Sequence, residues 1–431
     1  MNKRKIQRKI SFALVCMGLV GVLATGCSKN SIPVSSTSKS SEKKVTLKLA
    51  MWGEGDYKYM NETNKLVDAY KKDHPNVTIE LEHIAPKEYD NTMKIRSTAN
   101  QLPDIFPIRQ ANLTLYADLM VPLNDLKAVK NNLYANETAI KGNIIGIPQS
   151  VFNEYVYYDK NIFKEYNLKV PTTWEDFIKV AQTIKEGKKY TPLALGLKDS
   201  WVNYPLNEYM PMLEAGDGQI YNKMATKDDP FTKGQPFYNA YAKIQKLYDA
   251  KVCGNDPLGY GWDQAGAMFV AGKAAMIAAG SWYKDSFNQA GGKDESIGVF
   301  LLPTRNKTSD DFYTTAMTEA LWGISKSSKN QPEAKEFIEW FFGSDYYGKL
   351  VTALNIKPTV KGLTYNDKFF SQAFTDLDVK PITVFYDEAY NKVKNAMKFD
   401  VNGIGQQMTT GKSFDSMVQD LNAQWKKARA N

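Results

Sequence analysis

Aromatic rings with charged neighbours stand out among the residues of this chain that could bind or transform another molecule. Trp52 lies in the segment MWGEGD together with Glu54 and Asp56, and Arg109 follows the mostly apolar residues 104–108. An indole presents a flat apolar face, while carboxylates and a guanidinium hold polar groups in fixed directions. These four residues predict non-covalent ligand binding. Packing inside the fold is the alternative for Trp52 and Arg109, and a solvated turn is the alternative for the two acids.

Three more aromatic residues have the same two interpretations. Trp201 and Tyr204 lie in a stretch with few strand signals, and Trp262 lies in GYGWD, where the glycines favour an exposed loop. Aromatic residues make up 12% of the chain, so the fold must place many rings. A core is their default location, and a binding cleft is the other.

Catalytic chemistry is poorly represented. His74 and His83 are the two histidines of the sequence, and the motifs HExxH, GxSxG, GxGxxG and a phosphate loop are absent from it. We therefore expect no catalytic residue, no cofactor and no metal. A glycosidase needs only two facing carboxylates, and 47 Asp and Glu leave a secreted polysaccharide hydrolase or lyase open as an alternative.

The first residues predict export. A cluster of Lys and Arg precedes an apolar stretch over residues 10–24 that is shorter than a membrane span, so residues 1–26 are predicted to be a signal peptide. The sequence LATGC at positions 23–27 resembles the bacterial lipobox, which implies acylation of Cys27. The polar residues 28–44 then form a flexible linker. We expect the protein on the outer face of the bacterial cell membrane, with lipid as its membrane contact.

Cysteine and charge support this interpretation. With Cys16 removed and Cys27 acylated, Cys253 has no partner for a disulfide. The net charge of +8 includes five basic residues of the signal peptide, so +3 remains, and a nucleic-acid partner is not expected.

The elements that must position the candidate residues alternate between strand and helix. Residues 45–51 predict a strand, a helix follows up to His74, and a second strand, helix and strand are predicted at 77–81, 89–100 and 104–108. This order predicts an α/β fold with a mainly parallel sheet. Thr172 with Glu175 predicts a capping box, and Asn330 predicts a second helix cap.

Six segments in order carry a resemblance to a known family. They are LPDIF at 102–106, IIGIP at 144–148, YYDKNIFKEYNLKVPTTWEDF at 157–177, FVAGKAAMIAAGSW at 269–282, GVFLLP at 298–303 and WGISKSSKN at 322–330. The chain resembles the extracellular solute-binding proteins that serve sugar ABC importers, the maltose-binding-protein family. This implies an α/β, two-lobe periplasmic-binding-protein-like fold (type II). Its discontinuous lobes, 45–152 with 318–360 and 153–317 with 361–431, would be joined by crossing hinge strands near Asn153, Thr318 and Gly362.

The resemblance also implies a site between the lobes. It places Trp282 of the GSW motif where relatives stack a ring, Phe152 and Asn153 at the first crossing, and Phe385 and Tyr386 after Pro381 as cleft aromatics. Core packing is the alternative for each. Where relatives have glycines, this chain has residues 314–320, so Met317 and Glu319 are expected to shape a different pocket.

The implied function is that of a monomer that closes around an oligosaccharide and delivers it to ABC permease transmembrane subunits. Rings suit the apolar faces of a sugar, and planar polar groups suit its hydroxyls. The same fold binding a polyamine, an acidic sugar or a metal complex is the remaining alternative.

Overall fold

The computed structural model describes residues 44–53, 57–365 and 367–430. The predicted signal peptide, Cys27, most of the linker, Glu54 and Asp56 lie outside the described residues. The strands are β1 (Val45–Trp52), β2 (Val77–Ile84), β3 (Ile105–Ile108), β4 (Ile147–Phe152), β5 (Glu154–Asp159), β6 (Thr191–Ala194), β7 (Ala274–Gly280), β8 (Ile297–Phe300), β9 (Phe312–Thr315), β10 (Met317–Ile324), β11 (Lys357–Pro358) and β12 (Val379–Ile382).

The helices complete the element order. They are α1 (Tyr57–Asp73), α2 (Pro86–Thr98), α3 (Leu113–Tyr116), α4 (Lys127–Asn131), α5 (Lys160–Glu165), α6 (Trp174–Glu186), α7 (Met210–Ala215), α8 (Ile220–Met224), α9 (Pro236–Asp249), α10 (Trp262–Val270), α11 (Tyr283–Gln289), α12 (Gln331–Gly343), α13 (Asp345–Ala353), α14 (Lys368–Ser371), α15 (Glu388–Met397), α16 (Gly403–Met408) and α17 (Phe414–Arg429). Among the helices of the described residues, none has the length and apolar character needed to cross a membrane.

Two larger sheets organise the described chain. The first has the order β11-β4-β10-β3-β1-β2, and the second has the order β6-β7-β5-β8. The chain passes from one to the other at Asn153, because β4 ends at Phe152 and β5 begins at Glu154. A short parallel pair, β9 with β12, lies beside them.

The prediction of a mainly parallel sheet was wrong. Strand β1 runs parallel to β2 and β3, but β10 runs antiparallel to both β3 and β4. In the second sheet β6 and β7 are parallel, while β5 is antiparallel to β7 and β8. Parallel neighbours require a crossover within one sheet. Strands β5 and β10 instead continue from another sheet, and they enter in the opposite direction.

Local sequence sets where the helices begin, but two predicted helix caps were wrong. Thr173, rather than Thr172, caps α6, and its hydroxyl accepts from the backbone N–H of Asp176 at 3.2 Å. Asn330 precedes α12 but makes no side-chain cap, and its Nδ2 donates to Thr46 O at 3.0 Å. The apolar faces of α6 and α12 are buried, and so is that of α17 apart from the half-buried Phe414.

Each sheet has its own core, which gives the fold two lobes. In the first lobe, which is the first sheet with α1, α2, α12 and α13, Trp322 is fully buried and stacks on Phe341 at 4.5 Å. In the second lobe, which is the second sheet with α6, α9, α15 and α17, Tyr221, Tyr241 and Trp425 are fully buried.

Candidate functional site

Four aromatic side chains of the second lobe form a contiguous group, called here the Trp282 cluster. Trp201 lies nearly parallel to Tyr204 at 6.3 Å between ring centroids, and Trp262 lies 5.2 Å from Trp201 and 5.4 Å from Trp282. Trp201 and Trp282 are 43% and 40% exposed. Large indoles with this exposure leave apolar faces available to a bound molecule.

Separate segments bring these rings together. Trp201 belongs to the 3-10 turn Ser200–Asn203, Tyr204 begins the π-helical turn Tyr204–Glu208, and Trp262 begins α10. The backbone N–H of Trp262 donates to Asp199 Oδ2 at 2.8 Å, which ties the start of α10 to the Trp201 segment. Trp282 follows β7 and precedes α11.

A buried carboxyl group lies beneath the cluster. Glu154, the first residue of β5, is 4% exposed, and its Oε2 accepts from the hydroxyl of Tyr204 at 2.9 Å. The backbone N–H of Gly280 donates to the same hydroxyl at 3.2 Å. Burial raises the pKa of Glu154 to about 8, although the bond from Tyr204 opposes that shift. Glu154 is not among the site residues predicted from the sequence; its signal there is its place as the single charge in the run IPQSVFNEYVYY.

The first lobe contributes a second group, the Trp52 cluster of Trp52, Tyr89, Asp90, Arg109 and Glu319. The guanidinium of Arg109 lies 5.1 Å from the Trp52 ring centroid, and Tyr89 meets that ring edge-on at 5.1 Å. Arg109 Nε is 3.4 Å from Asp90 Oδ1. Trp52 ends β1 and Arg109 follows β3, so both lie at the carboxyl edge of parallel strands, where α/β sheets bind ligands.

Glu319 is connected to this group electrostatically. Burial raises the pKa of Glu319, Arg109 lowers it, and Asp90 raises it again. Met317 and Glu319 were expected to shape a pocket together. Glu319 lies with the Trp52 cluster, whereas Met317 is buried in the second-lobe core.

An ion pair joins the two lobes beside these clusters. Lys58 Nζ, in the first turn of α1, lies 2.7 Å from Asp285 Oδ2 in the first turn of α11. Trp52 comes shortly before α1, and Trp282 immediately precedes α11. The pair thus holds the start of α1, which follows Trp52, next to the start of α11, which follows Trp282. Burial raises the pKa of Tyr209, and the charges of Glu208, Glu154 and Glu319 raise it further. Glu154 beneath the Trp282 cluster and Glu319 of the Trp52 cluster therefore both act on one hydroxyl.

The remaining predicted residues do not share one location. Asn153 is 5% exposed, and its Nδ2 donates to Thr315 O. Phe152 packs against the second-lobe core, whereas Phe385 packs against a first-lobe core. Tyr386 is only 6% exposed, stacks with other rings of the second-lobe core, and donates to Glu208 Oε1 at 2.5 Å. The structure thus brings Trp201, Tyr204, Trp262 and Trp282 together and places Tyr386 in the core.

The arrangement suits non-covalent binding. Within residues 44–53, 57–365 and 367–430, no group of three or more His, Cys, Asp or Glu could hold a metal ion. The two histidines have structural contacts, since His74 stacks on Tyr70 and His83 Nε2 lies 2.7 Å from Thr63 Oγ1.

Comparison with known proteins gives a consistent result. A family model described as bacterial extracellular solute-binding protein matches residues 57–347. The multiple sugar-binding protein of Streptococcus mutans is 26% identical over 75% of this chain and 76% of its own length. The melibiose/raffinose/stachyose-binding protein MelE of Bacillus subtilis is 23% identical over 96% of this chain and 95% of its own length. These relatives are binding proteins, not enzymes.

A solved structure shows the same fold. The BlMnBP1 binding protein of an ABC transporter from Bifidobacterium animalis subsp. lactis, in complex with mannobiose, superimposes with a TM-score of 0.74. The match covers 90% of this chain and 95% of that protein at 19% identity. The chain thus has the type II two-lobe fold of periplasmic solute-binding proteins.

Proposed function

Because this chain belongs to the bacterial extracellular solute-binding protein family, we propose that it is the lipid-anchored, oligosaccharide-binding component of an ABC importer. Membership of an extracellular family gives its location outside the cytoplasm. Relatives at 26% and 23% identity are named for the sugars that they bind, which supports a sugar as the ligand here.

The Trp282 cluster is the observation that carries the proposal. A pyranose has apolar C–H faces, and flat rings with exposed faces stack against them. Trp201 and Trp282 have such exposed faces, and the partly buried Tyr204 and Trp262 lie within 6.3 Å of a neighbouring ring centroid, so the group suits more than one sugar unit. The Trp52 cluster of the first lobe adds a guanidinium and two carboxylates, which suit the hydroxyl rim of the same ligand.

Closure of the two lobes is the proposed mechanism. The lobes comprise about 45–152 with 318–360, and 153–317 with 361–431, and they hinge where the chain crosses near Asn153, Thr318 and Gly362. A ligand that contacts both clusters binds the closed arrangement more tightly and shifts the equilibrium toward it. The closed monomer would then dock on the permease transmembrane subunits, while acylated Cys27 and the linker 28–44 hold it at the outer face of the membrane.

Calorimetry and scattering test the proposal together. The soluble protein, without residues 1–43, is titrated with raffinose and with mannobiose, sugars taken from the names of its relatives. We expect one-to-one binding of an oligosaccharide, full recovery of the unaltered sugar, and a smaller radius of gyration at saturation. Turnover of the sugar, or saturation without compaction, would contradict the proposal. Retention of a polyamine or acidic sugar instead would change the ligand class.

Removal of one ring tests the site directly. Trp282→Ala deletes a 40% exposed indole, and the loss of a ring contact of about 1 kcal/mol or more raises the Kd about fivefold or more. Trp340→Ala is the matched control, because it removes a partly buried indole of α12 whose Nε1 bonds Asp73. The control variant should lose stability and keep its affinity. Equal affinities of Trp282→Ala and wild type would remove Trp282 from the site.

A further inference from the structure

Glu154 has an environment that the proposed binding surface leaves unexplained. It is the first residue of β5, paired with Gly280 of β7, and its backbone N–H donates to Thr315 Oγ1 at 3.1 Å. Its side chain is turned into the protein beneath the rings and is 96% buried, the complement of its 4% exposure. Water cannot solvate a carboxyl group there, so its contacts must be supplied by the protein.

One carboxyl oxygen of Glu154 accepts a hydrogen bond and the other does not. Oε2 accepts from the Tyr204 hydroxyl at 2.9 Å, while Oε1 is buried and has no hydrogen-bond partner among the described residues. A Cβ atom on Gly280 would come 2.5 Å from Trp282 Nε1 and 3.2 Å from Glu154 Oε1. The indole N–H and the free carboxyl oxygen therefore both pack directly against this glycine, where a larger residue would displace the ring.

The Tyr204 hydroxyl is the centre of this arrangement. It donates to Glu154 and accepts from the backbone N–H of Gly280 at 3.2 Å, and it lies close enough to the indole N–H of Trp282 for that group to lower its pKa. When the proton of a hydroxyl points to a fixed acceptor, its lone pairs also point in fixed directions. Glu154 therefore determines which way the lone pairs of the Tyr204 hydroxyl face the indole N–H of Trp282. Among the described residues, the hydrogen bond from Tyr204 is the one that the Glu154 carboxyl group makes.

From these contacts we propose that Glu154 is a positioning residue, whose carboxyl group orients Tyr204 and through it fixes the Trp282 ring for sugar stacking. The inference rests on the proposed function for its ligand, but not for its ring geometry. In this proposal, a hydrogen-bond network inside the second lobe holds the rings of the Trp282 cluster in place.

The protonation state of Glu154 gives this role a pH dependence. Burial raises the pKa of Glu154 to about 8, so the carboxyl is mostly neutral at pH 7 and ionised above pH 8. A buried carboxylate with one unpartnered oxygen must attract water, which displaces the indole packed beside it. The other titratable groups whose charge acts on or responds to Glu154 are Tyr155 and Tyr157 on its own strand and Tyr204, Glu208 and Tyr209 on the packed segment. The facing end of β7, residues 278–280, carries no titratable side chain.

The test compares Glu154→Gln and Glu154→Leu with wild type, using raffinose and mannobiose from pH 6 to pH 9.5. If the sugar binds only the neutral form, the wild-type affinity falls about tenfold between pH 7 and pH 9. The Leu variant, which has no acceptor for Tyr204, should bind about fivefold or more weakly at pH 7. The Gln variant resembles the neutral acid, so it should recover most of that loss and bind without the pH dependence. A Gln variant with the wild-type pH profile, or a Leu variant with wild-type affinity, would overturn the proposal.

A second readout needs no ligand. The near-ultraviolet circular dichroism of the free wild-type protein should change with a midpoint near pH 8 as the Trp282 environment alters, and Glu154→Gln should abolish this change. If no sugar binds wild type at any pH while the spectral transition depends on Glu154, the proposed function fails and the positioning role stands. If sugars bind but spectra and affinities ignore Glu154, the positioning role fails alone.

Discussion

The ion pair between Lys58 and Asp285 predicts a measurable contribution to ligand affinity. Its two charged groups belong to different lobes and lie 2.7 Å apart with side chains 40% and 39% exposed. If opening of the lobes separates them, the pair exists only in the closed form, and its free energy adds to the affinity of any ligand that selects closure. The variants Lys58→Met and Asp285→Asn remove one charge each, and the double variant removes the interaction.

The exposure of the pair sets the expected magnitude. Unscreened charges 2.7 Å apart attract by about 1.5 kcal/mol in water, and the entropy of holding two flexible side chains reduces this gain. Measured exposed pairs contribute roughly 0.2–1 kcal/mol, so each single variant should raise the Kd about 1.4- to fivefold. In 1 M salt, where the Debye length is about 3 Å, the difference should largely vanish.

Calorimetric titration with raffinose or mannobiose in 50 mM and 1 M NaCl measures this effect in a double-mutant cycle. The matched control is Lys189→Met, because Lys189 forms an exposed 3.0 Å pair with Glu165 inside the second lobe. The control should not alter the Kd. Single variants with wild-type affinity at low salt, or a cycle without coupling, would refute the link between this pair and closure.

Three other predictions concern the rings and the stability of the fold. Gly280→Ala should weaken sugar binding about fivefold or more, because the added Cβ would lie 2.5 Å from Trp282 Nε1. An unchanged Kd in calorimetric titration would disprove this. Because burial raises the pKa of Glu154 from 4.5 to about 8, the free energy of unfolding of the wild-type protein should fall as pH rises from 4.5 to 8. Glu154→Gln should remove this decline of up to a few kcal/mol, and urea midpoints that change with pH equally in the variant and the wild type would contradict this. Lys398 is exposed, follows α15 and has a φ of 54°. Lys398→Gly should therefore raise the free energy of unfolding, measured by thermal unfolding, by up to about 1 kcal/mol, whereas Lys398→Ala should not.

Much of the local structure was predictable because it depends on neighbouring residues. The alternation of Val45, Leu47 and Leu49 identified β1, and the spacing of Phe177, Ala181 and Ile184 identified the buried face of α6. The cap of α6 was misplaced by one residue, since Thr172 and Thr173 both precede an acid at the required spacing. Only the backbone conformation at Thr173 decides between them.

The candidate rings divide in the same way. Trp201, Trp262 and Trp282 were selected from their residue type and flanking glycines or motifs, and the structure gathers them into one partly exposed group. The placement of Tyr386 in the core had no comparable signal, because its hydroxyl is satisfied by Glu208, 178 positions earlier in the chain.

The sequence by itself determined the succession of strands and helices, the faces that they bury, and the family to which the chain belongs. It did so because hydrophobic period and short motifs are properties of a few consecutive residues. The tertiary structure alone decided the antiparallel entry of β5 and β10, the contact of Glu154 with Tyr204 over 50 positions, and the Lys58–Asp285 pair over 227 positions. Such contacts depend on how complete elements pack, and no local pattern specifies which distant side chain will arrive opposite a given one.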